Sequence, residues 1–233
     1  MNVNYTISRL YGNYSGLASS DEPHLVDGRL APGVSRAFDL PFIGFTAKGV
    51  PDNGRLQTVR PHVFNIYGSY ILDWMKSKTN STEFSAFQTV TSGQPQTTTI
   101  YGASTVTPQI FLGRGDLGRS PVFSQTDFNI THRYRFGGDK RLTAAFDLNI
   151  LNLFDQATVN GIYTTMNPSS APVNAASLGL SQTAYANGIT GGTLLNQMIA
   201  RINSQPDRSD IRYKQPFLYQ TRRVVRFGFR ILF

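Results

Sequence analysis

Cysteine is absent from this 233-residue chain. Its absence excludes disulfides, thiolate metal sites and cysteine nucleophiles together. Charge is also scarce: Asp, Glu, Lys and Arg make up 15% of the residues, although the formal net charge is +8. No run of about eighteen apolar residues occurs, so no helix in the chain is a candidate to cross a membrane. The first residues, "MNVNYTISRLYGNYSG", lack a basic segment followed by an apolar core, which is the pattern of a secretion signal. Tryptophan occurs once, yet there are 16 Phe, 11 Tyr and 21 Gly. That composition suits a β protein with long polar loops better than a soluble helical enzyme.

Alternation of apolar and polar residues predicts six strands, near residues 2–11, 61–72, 83–91, 125–136, 142–151 and 219–233. The fourth is a clear example. Phe128, Ile130, Tyr134 and Phe136 share one parity, and Asp127, Asn129, Thr131, Arg133 and Arg135 share the other. In the last, Val225, Phe227, Phe229, Ile231 and Phe233 oppose Arg222, Arg226, Gly228 and Arg230. Successive strand residues point to opposite faces, so each strand has a greasy face and a wet one.

The connections run long, short, long, short, long. "GGDKR" (137–141) reads as a tight turn, and the stretches before Pro61, before Gln125 and before Tyr219 read as long loops. Transmembrane barrels have this asymmetry: short periplasmic turns, long extracellular loops, and strands of about ten residues that alternate apolar-out and polar-in. A closed barrel also satisfies every backbone group in lipid. The fold expected is therefore all-β, with about six antiparallel meander strands in one segment of a transmembrane β-barrel. Bacterial barrels begin at about eight strands. Six strands accordingly point to the C-terminal part of a larger barrel or to a truncated gene product. The Phe227 parity should face lipid and the Arg226 parity the lumen.

Several stretches resemble the C-terminal barrel of TonB-dependent outer-membrane transporters, and more narrowly an Oar-like group that carries a carboxypeptidase-regulatory-like domain. They are "YTISRLYGNYSGLASSDE" (5–22), "RPHVFNIYGSY" (60–70), "TSGQP" (91–95), "FSQTDFNITHRYRFGG" (123–138), "LTAAFDLNILNLFDQ" (142–156) and "VVRFGFRILF" (224–233). The resemblance implies a segment of a receptor that imports a bulky ligand across the outer membrane of a Gram-negative bacterium. A porin-like, structural or adhesive barrel without active transport is the alternative. A soluble secreted β protein that binds carbohydrate is a third reading. The resemblance further implies outer-membrane lipid and the barrel insertion machinery as partners. The closing pattern of Arg226, Gly228, Ile231 and Phe233 looks like the signal that this machinery reads. A plug domain and a TonB-contacting segment are not seen in the sequence, so the TonB system is expected to act only through a missing N-terminal part.

Arg222, Arg226 and Arg230, with Asp127, Arg133 and Asp147, are the polar residues expected to face the lumen. The arginines serve either an anionic substrate or plug, or acids such as Asp147 on the neighbouring strand; the second reading is preferred. Arg223, of lipid parity near the outer end, is placed to reach lipid phosphates. His132 has lipid parity, which a local bulge would correct. "GRGDLG" (113–118) fits a dinucleotide loop literally but precedes no helix, and contains an Arg-Gly-Asp tripeptide; a flexible loop tip is the preferred reading. His24, His62 and His132 are too scattered to suggest a metal site. The basic residues are dispersed rather than clustered, which argues against nucleic acid. No set of nucleophile, base and orienting group is visible, and no cofactor is called for. The chain is read as no enzyme. Finally, Leu194, Leu195, Met198, Ile199 and Ile202 recur at helical spacing within 191–203, with Thr193 as the expected N-cap.

Overall fold

A computed structural model describes residues 1–12, 45–74, 79–103, 109–136 and 142–233. The expected turn at 137–141 and His24 lie outside these described residues. Among the described residues there are ten strands: β1 (Asn2–Ile7), β2 (Tyr11–Gly12), β3 (Gly54–Arg55), β4 (His62–Asp73), β5 (Asn80–Thr91), β6 (Phe123–Phe136), β7 (Leu142–Leu151), β8 (Val159–Ile162), β9 (Pro216–Tyr219) and β10 (Val224–Leu232). Two α-helices, α1 (Gln182–Thr190) and α2 (Leu195–Ile202), lie between β8 and β9.

Six strands form one sheet in the order β1-β4-β5-β6-β7-β10, antiparallel throughout. Each strand in that order pairs with the next one to join the sheet along the chain, the meander expected of short turns and returning loops. β4 and β5 have 12 residues, β6 has 14, β7 has 10 and β10 has 9, close to what a tilted strand needs to cross a bilayer. The register aligns the faces across strands. One row reads Tyr70, Phe84, Ile130, Leu148 and Phe227; an adjacent row on the opposite face reads Ile71, Glu83, Thr131, Asp147 and Gly228. Phe227 is 83% exposed and Phe229 57%. The greasy face is thus uncovered by protein, and no second sheet packs on it among the described residues.

Two expected strands are shorter than their alternation. The first divides into β1 and the short β2, which pairs with β3. The last begins at Val224, because Tyr219 belongs to β9 and pairs with Val159 of β8. Side-chain capture causes the break. Asn152 Nδ2 donates to the Thr221 carbonyl, and the buried Gln220 donates through Nε2 to the Ser124 carbonyl.

Among the described residues, the main hydrophobic core cluster contains no residue of the six-stranded sheet. Ala47, Ile100, Phe111, Val173, Ala175, Tyr185, Ile189, Leu194, Met198 and Ile202 cluster among the long connections. These connections leave one edge of the sheet and build a folded cap there. Helix α2 buries Met198 and Ile202 as its spacing predicts, but Thr193 is not its cap. Leu194 holds that position, with no side-chain hydrogen bond, while the Thr193 hydroxyl donates to the Gly188 carbonyl. Helix α1 was not expected. Ser181 caps it by accepting from the Ala184 amide at 3.1 Å. Gly192, with φ of +71°, holds the helix pair against the turn at Lys48, where an added Cβ would come within 2.5 Å of backbone.

Candidate functional site: the polar face and the loop cap

The polar face is organised by ion pairs between neighbouring strands. Arg230 donates through Nε and a terminal nitrogen to the two oxygens of Asp147, each at 2.9 Å. Thr131 donates to the same carboxylate at 2.7 Å. Arg133 pairs with Glu83 at 2.9 Å. Asp127 accepts from Gln125 Nε2 and from the Asn152 amide. Arg226, Arg230, Asp127, Arg133 and Asp147 therefore share one face, as their parity predicts. Tyr67, Ile71 and Phe87 interrupt it with apolar groups. Among the described residues no side-chain partner meets Arg226.

Arg222 differs from its expected place. It precedes β10 and pairs with Asp155 at 2.7 Å in the turn after β7. The Arg223 amide donates to the other Asp155 oxygen, so neither residue belongs to the strand. The Asp155 carboxyl lies below its ordinary range, chiefly through that amide and then through the charge of Arg222.

His132 remains on the apolar face. Its pairing with Thr82 and Phe146 runs without a register shift, so no bulge turns it inward. The sequence places it near mid-strand; the register places it in the row beside Trp74. Trp74 Nε1 donates to the Thr82 hydroxyl at 2.8 Å, and that hydroxyl meets His132 Nδ1 at 2.8 Å. Local pairing thus satisfies the polar group where it stands. At the other end of the same face, Gln88 donates through Nε2 to the Ser124 hydroxyl and accepts through Oε1 from the Thr126 hydroxyl. His62 is met by the Tyr5 hydroxyl at 2.8 Å. Between these polar ends lies an apolar band that includes Phe84, Phe128, Ile130, Leu148 and Phe227.

The "GRGDLG" stretch is not a loose tip. Arg114 is buried against Asp52 at 2.9 Å, and Asp116 accepts from the Thr98 amide at 2.7 Å. Gly113, Gly115 and Gly118 all have positive φ, which closes the turn. With its arginine and aspartate both engaged, the tripeptide is not displayed.

Two buried asparagines were missed by sequence reasoning. Asn152, at φ of +54°, opens the "NLF" stretch and bonds to Gln156 and Thr221, tying the end of β7 to the start of β10. Asn167 bonds to Tyr101 on both sides, as a strand partner would, and to Ala171. An Asn just past a predicted strand was the available signal for the first; the second has none.

Beside the paired strands β8 and β9 the cap holds a cleft of about 350 Å³. Gln94, Gln96, Thr97 and Thr165 line one part, and Tyr163 and Phe217 another. The two rings lie 4.6 Å apart at 40°.

An antiparallel sheet with one exposed apolar face, one ion-paired polar face and all long connections at one edge has the arrangement of a transmembrane β-barrel wall. The comparison with known proteins points the same way. The chain is 28% identical over 241 aligned residues to the TonB-dependent transporter Oar of Myxococcus xanthus. That match takes in 99% of this chain and 20% of the transporter, so the chain spans about a fifth of the relative's length. The similarity supports an outer-membrane, receptor-like segment. No family profile matches the chain, and no solved structure matches it.

Proposed function

We propose that the chain forms part of the membrane-spanning wall, and the outer cap, of a TonB-dependent outer-membrane receptor that imports a bulky ligand. The observation that carries this reading is the division of the sheet into two faces, with Phe227 and Phe229 uncovered on one and Arg230–Asp147–Thr131 on the other. The first face suits acyl chains and the second a wet lumen. The folded cap supports a receptor, because a packed loop core can present a defined ligand surface where loose loops cannot. Arg226, Gly228, Ile231 and Phe233 are the residues offered to the barrel insertion machinery. Energy from the TonB system is a property of a transporter as a whole, of which this chain matches a part. No chemical step is assigned to the chain. Nucleic acid is not a partner in this reading, since Arg114, Arg133, Arg222 and Arg230 are matched by acids of the same chain.

The test is made in a Gram-negative host. The protein is expected to sediment with the outer membrane, resist a high-salt wash and require detergent for release. Release by salt alone supports instead a soluble secreted β protein. Ligand-dependent growth is expected to vanish when the TonB energy system is disabled. Growth that persists supports a porin-like or structural barrel.

A further inference from the structure

The cleft beside β8 and β9 has a chemistry of its own. None of its lining residues is charged, in a chain with net charge +8. Its polar groups are amides and hydroxyls. We propose that this cleft binds a neutral, polyhydroxylated ligand, a sugar unit of a glycan.

The argument is one of matching donors and acceptors. A sugar hydroxyl donates and accepts at the same atom. A carboxylate or a guanidinium can answer only half of that, whereas amides and hydroxyls answer both. Gln96 is 7% exposed, and no described residue takes its side-chain amide, so its donors and acceptor remain for a ligand. Gln94 accepts from Arg60 through Oε1, which leaves its amide nitrogen to donate. Thr97 accepts from the Gly115 amide, and its hydroxyl proton is left to donate. The apolar face of a pyranose needs an aromatic surface, and the tilted Tyr163–Phe217 pair supplies one, with Phe217 51% exposed. Arg212 lies over the Tyr163 ring, but Asp210 holds it through two hydrogen bonds, so the platform carries no unpaired charge among the described residues. The volume suits one or two sugar rings, since ligand clefts begin at about 300 Å³.

A peptide fits less well. An extended peptide binds by adding a strand to a free sheet edge. Here the backbone beside the cleft is already engaged: the Thr99 amide donates to Thr164, Met166 to Thr99, and Tyr163 to Gln215.

The proposal rests on the receptor reading only for its role in import; binding itself does not require it. The experiment is titration calorimetry of the detergent-solubilised protein with maltohexaose, cellohexaose and mannohexaose, with a neutral Ala-Gly hexapeptide as control. Saturable binding of at least one saccharide is expected, weakened about tenfold or more by Gln96→Ala and by Phe217→Ala. Phe217→Tyr should retain binding, and each variant is checked by its resistance to protease. Arg230→Ala, on the polar face of the sheet, should leave affinity unchanged. Absence of saccharide binding in the intact protein, equal binding of the hexapeptide, or affinity indifferent to Gln96 and Phe217 each overturns the proposal. Saccharide binding without TonB-dependent growth sinks the receptor reading and leaves the cleft assignment standing. TonB-dependent growth without saccharide binding does the reverse.

Discussion

Single residues on the apolar face are governed by who shares their hydrogen bonds. A hydroxyl can serve an indole and an imidazole together, and Thr82 does so for Trp74 and His132. Removing the middle member strands two polar groups, whereas removing the end member strands at most the Thr82 hydroxyl proton. Thr82→Val is therefore expected to cost about 1–3 kcal/mol. His132→Leu is expected to be near neutral, or to stabilise, because it places an apolar side chain against lipid. Urea midpoints of the detergent-refolded variants check the order; a larger loss for His132→Leu would mean that His132 has a role outside this chain of bonds. Asp155 behaves differently, at the mouth. Its folded value lies below the unfolded carboxylate value of about 3.9. The stabilisation from Arg223 and Arg222 is thus complete above that pH and is lost as pH falls through the lower folded value. The protection of the Arg223 amide, taken against its intrinsic exchange rate at each pH, should fall below about pH 4, and should not depend on acid in Asp155→Asn. A fall already between pH 5 and neutrality would point to another group.

At the scale of elements, β10 combines two tasks. Phe229 sits 4.9 Å from the Phe146 ring on the neighbouring strand and faces outward with it. Phe229→Arg should cost about 2–4 kcal/mol if it lies near the bilayer midplane and less toward the rim. Phe233→Ala and Phe229→Ala remove the same aromatic group, and on burial alone they should lower outer-membrane levels alike. If the closing pattern is read by the insertion machinery, Phe233→Ala should lower those levels more while both variants refold equally in detergent. Surface labelling and refolding yields of the two variants decide between these accounts. The helices show how legible an element can be. Leu194, Met198 and Ile202 in and just before α2 carry their period openly because one face meets the cap core. In α1, "QTAYANGIT" has small and polar residues around Tyr185 and Ile189, so the period is faint. Its clearest marker is Ser181 as a cap. Gly188, a poor helix residue, is there because an added Cβ would meet Leu194 at 2.5 Å.

The whole molecule has two ends of unlike character. Three long connections build the cap at one end, and the short connections lie at the other. The lack of native cysteine makes this sidedness easy to test. Ser209→Cys, in the cap, should react with a membrane-impermeant maleimide in intact cells. Asp73→Cys, at the short-connection end of β4, should react only after the outer membrane is opened. Labelling of Asp73→Cys in intact cells would invert the orientation or remove the membrane altogether. Stability is divided in the same way: the cap has its own hydrophobic core, while the sheet presents its apolar face outward and joins its strands by register and ion pairs.

By itself the sequence determined the six main strands, their meander, the parity of each face and the presence of α2. All of these follow from local periodicity: a side chain's direction repeats every two residues in a strand and every 3.6 in a helix, and the surroundings select for it. The tertiary structure alone decided where the last strand begins, why His132 tolerates the apolar face, that Arg222 serves Asp155, and that "GRGDLG" is tied down. It also brought Gln96 and Phe217, distant in sequence, to one cleft. Each of these depends on a hydrogen bond, ion pair or close approach between residues far apart in the chain. Such pairings leave no period for a sequence to display.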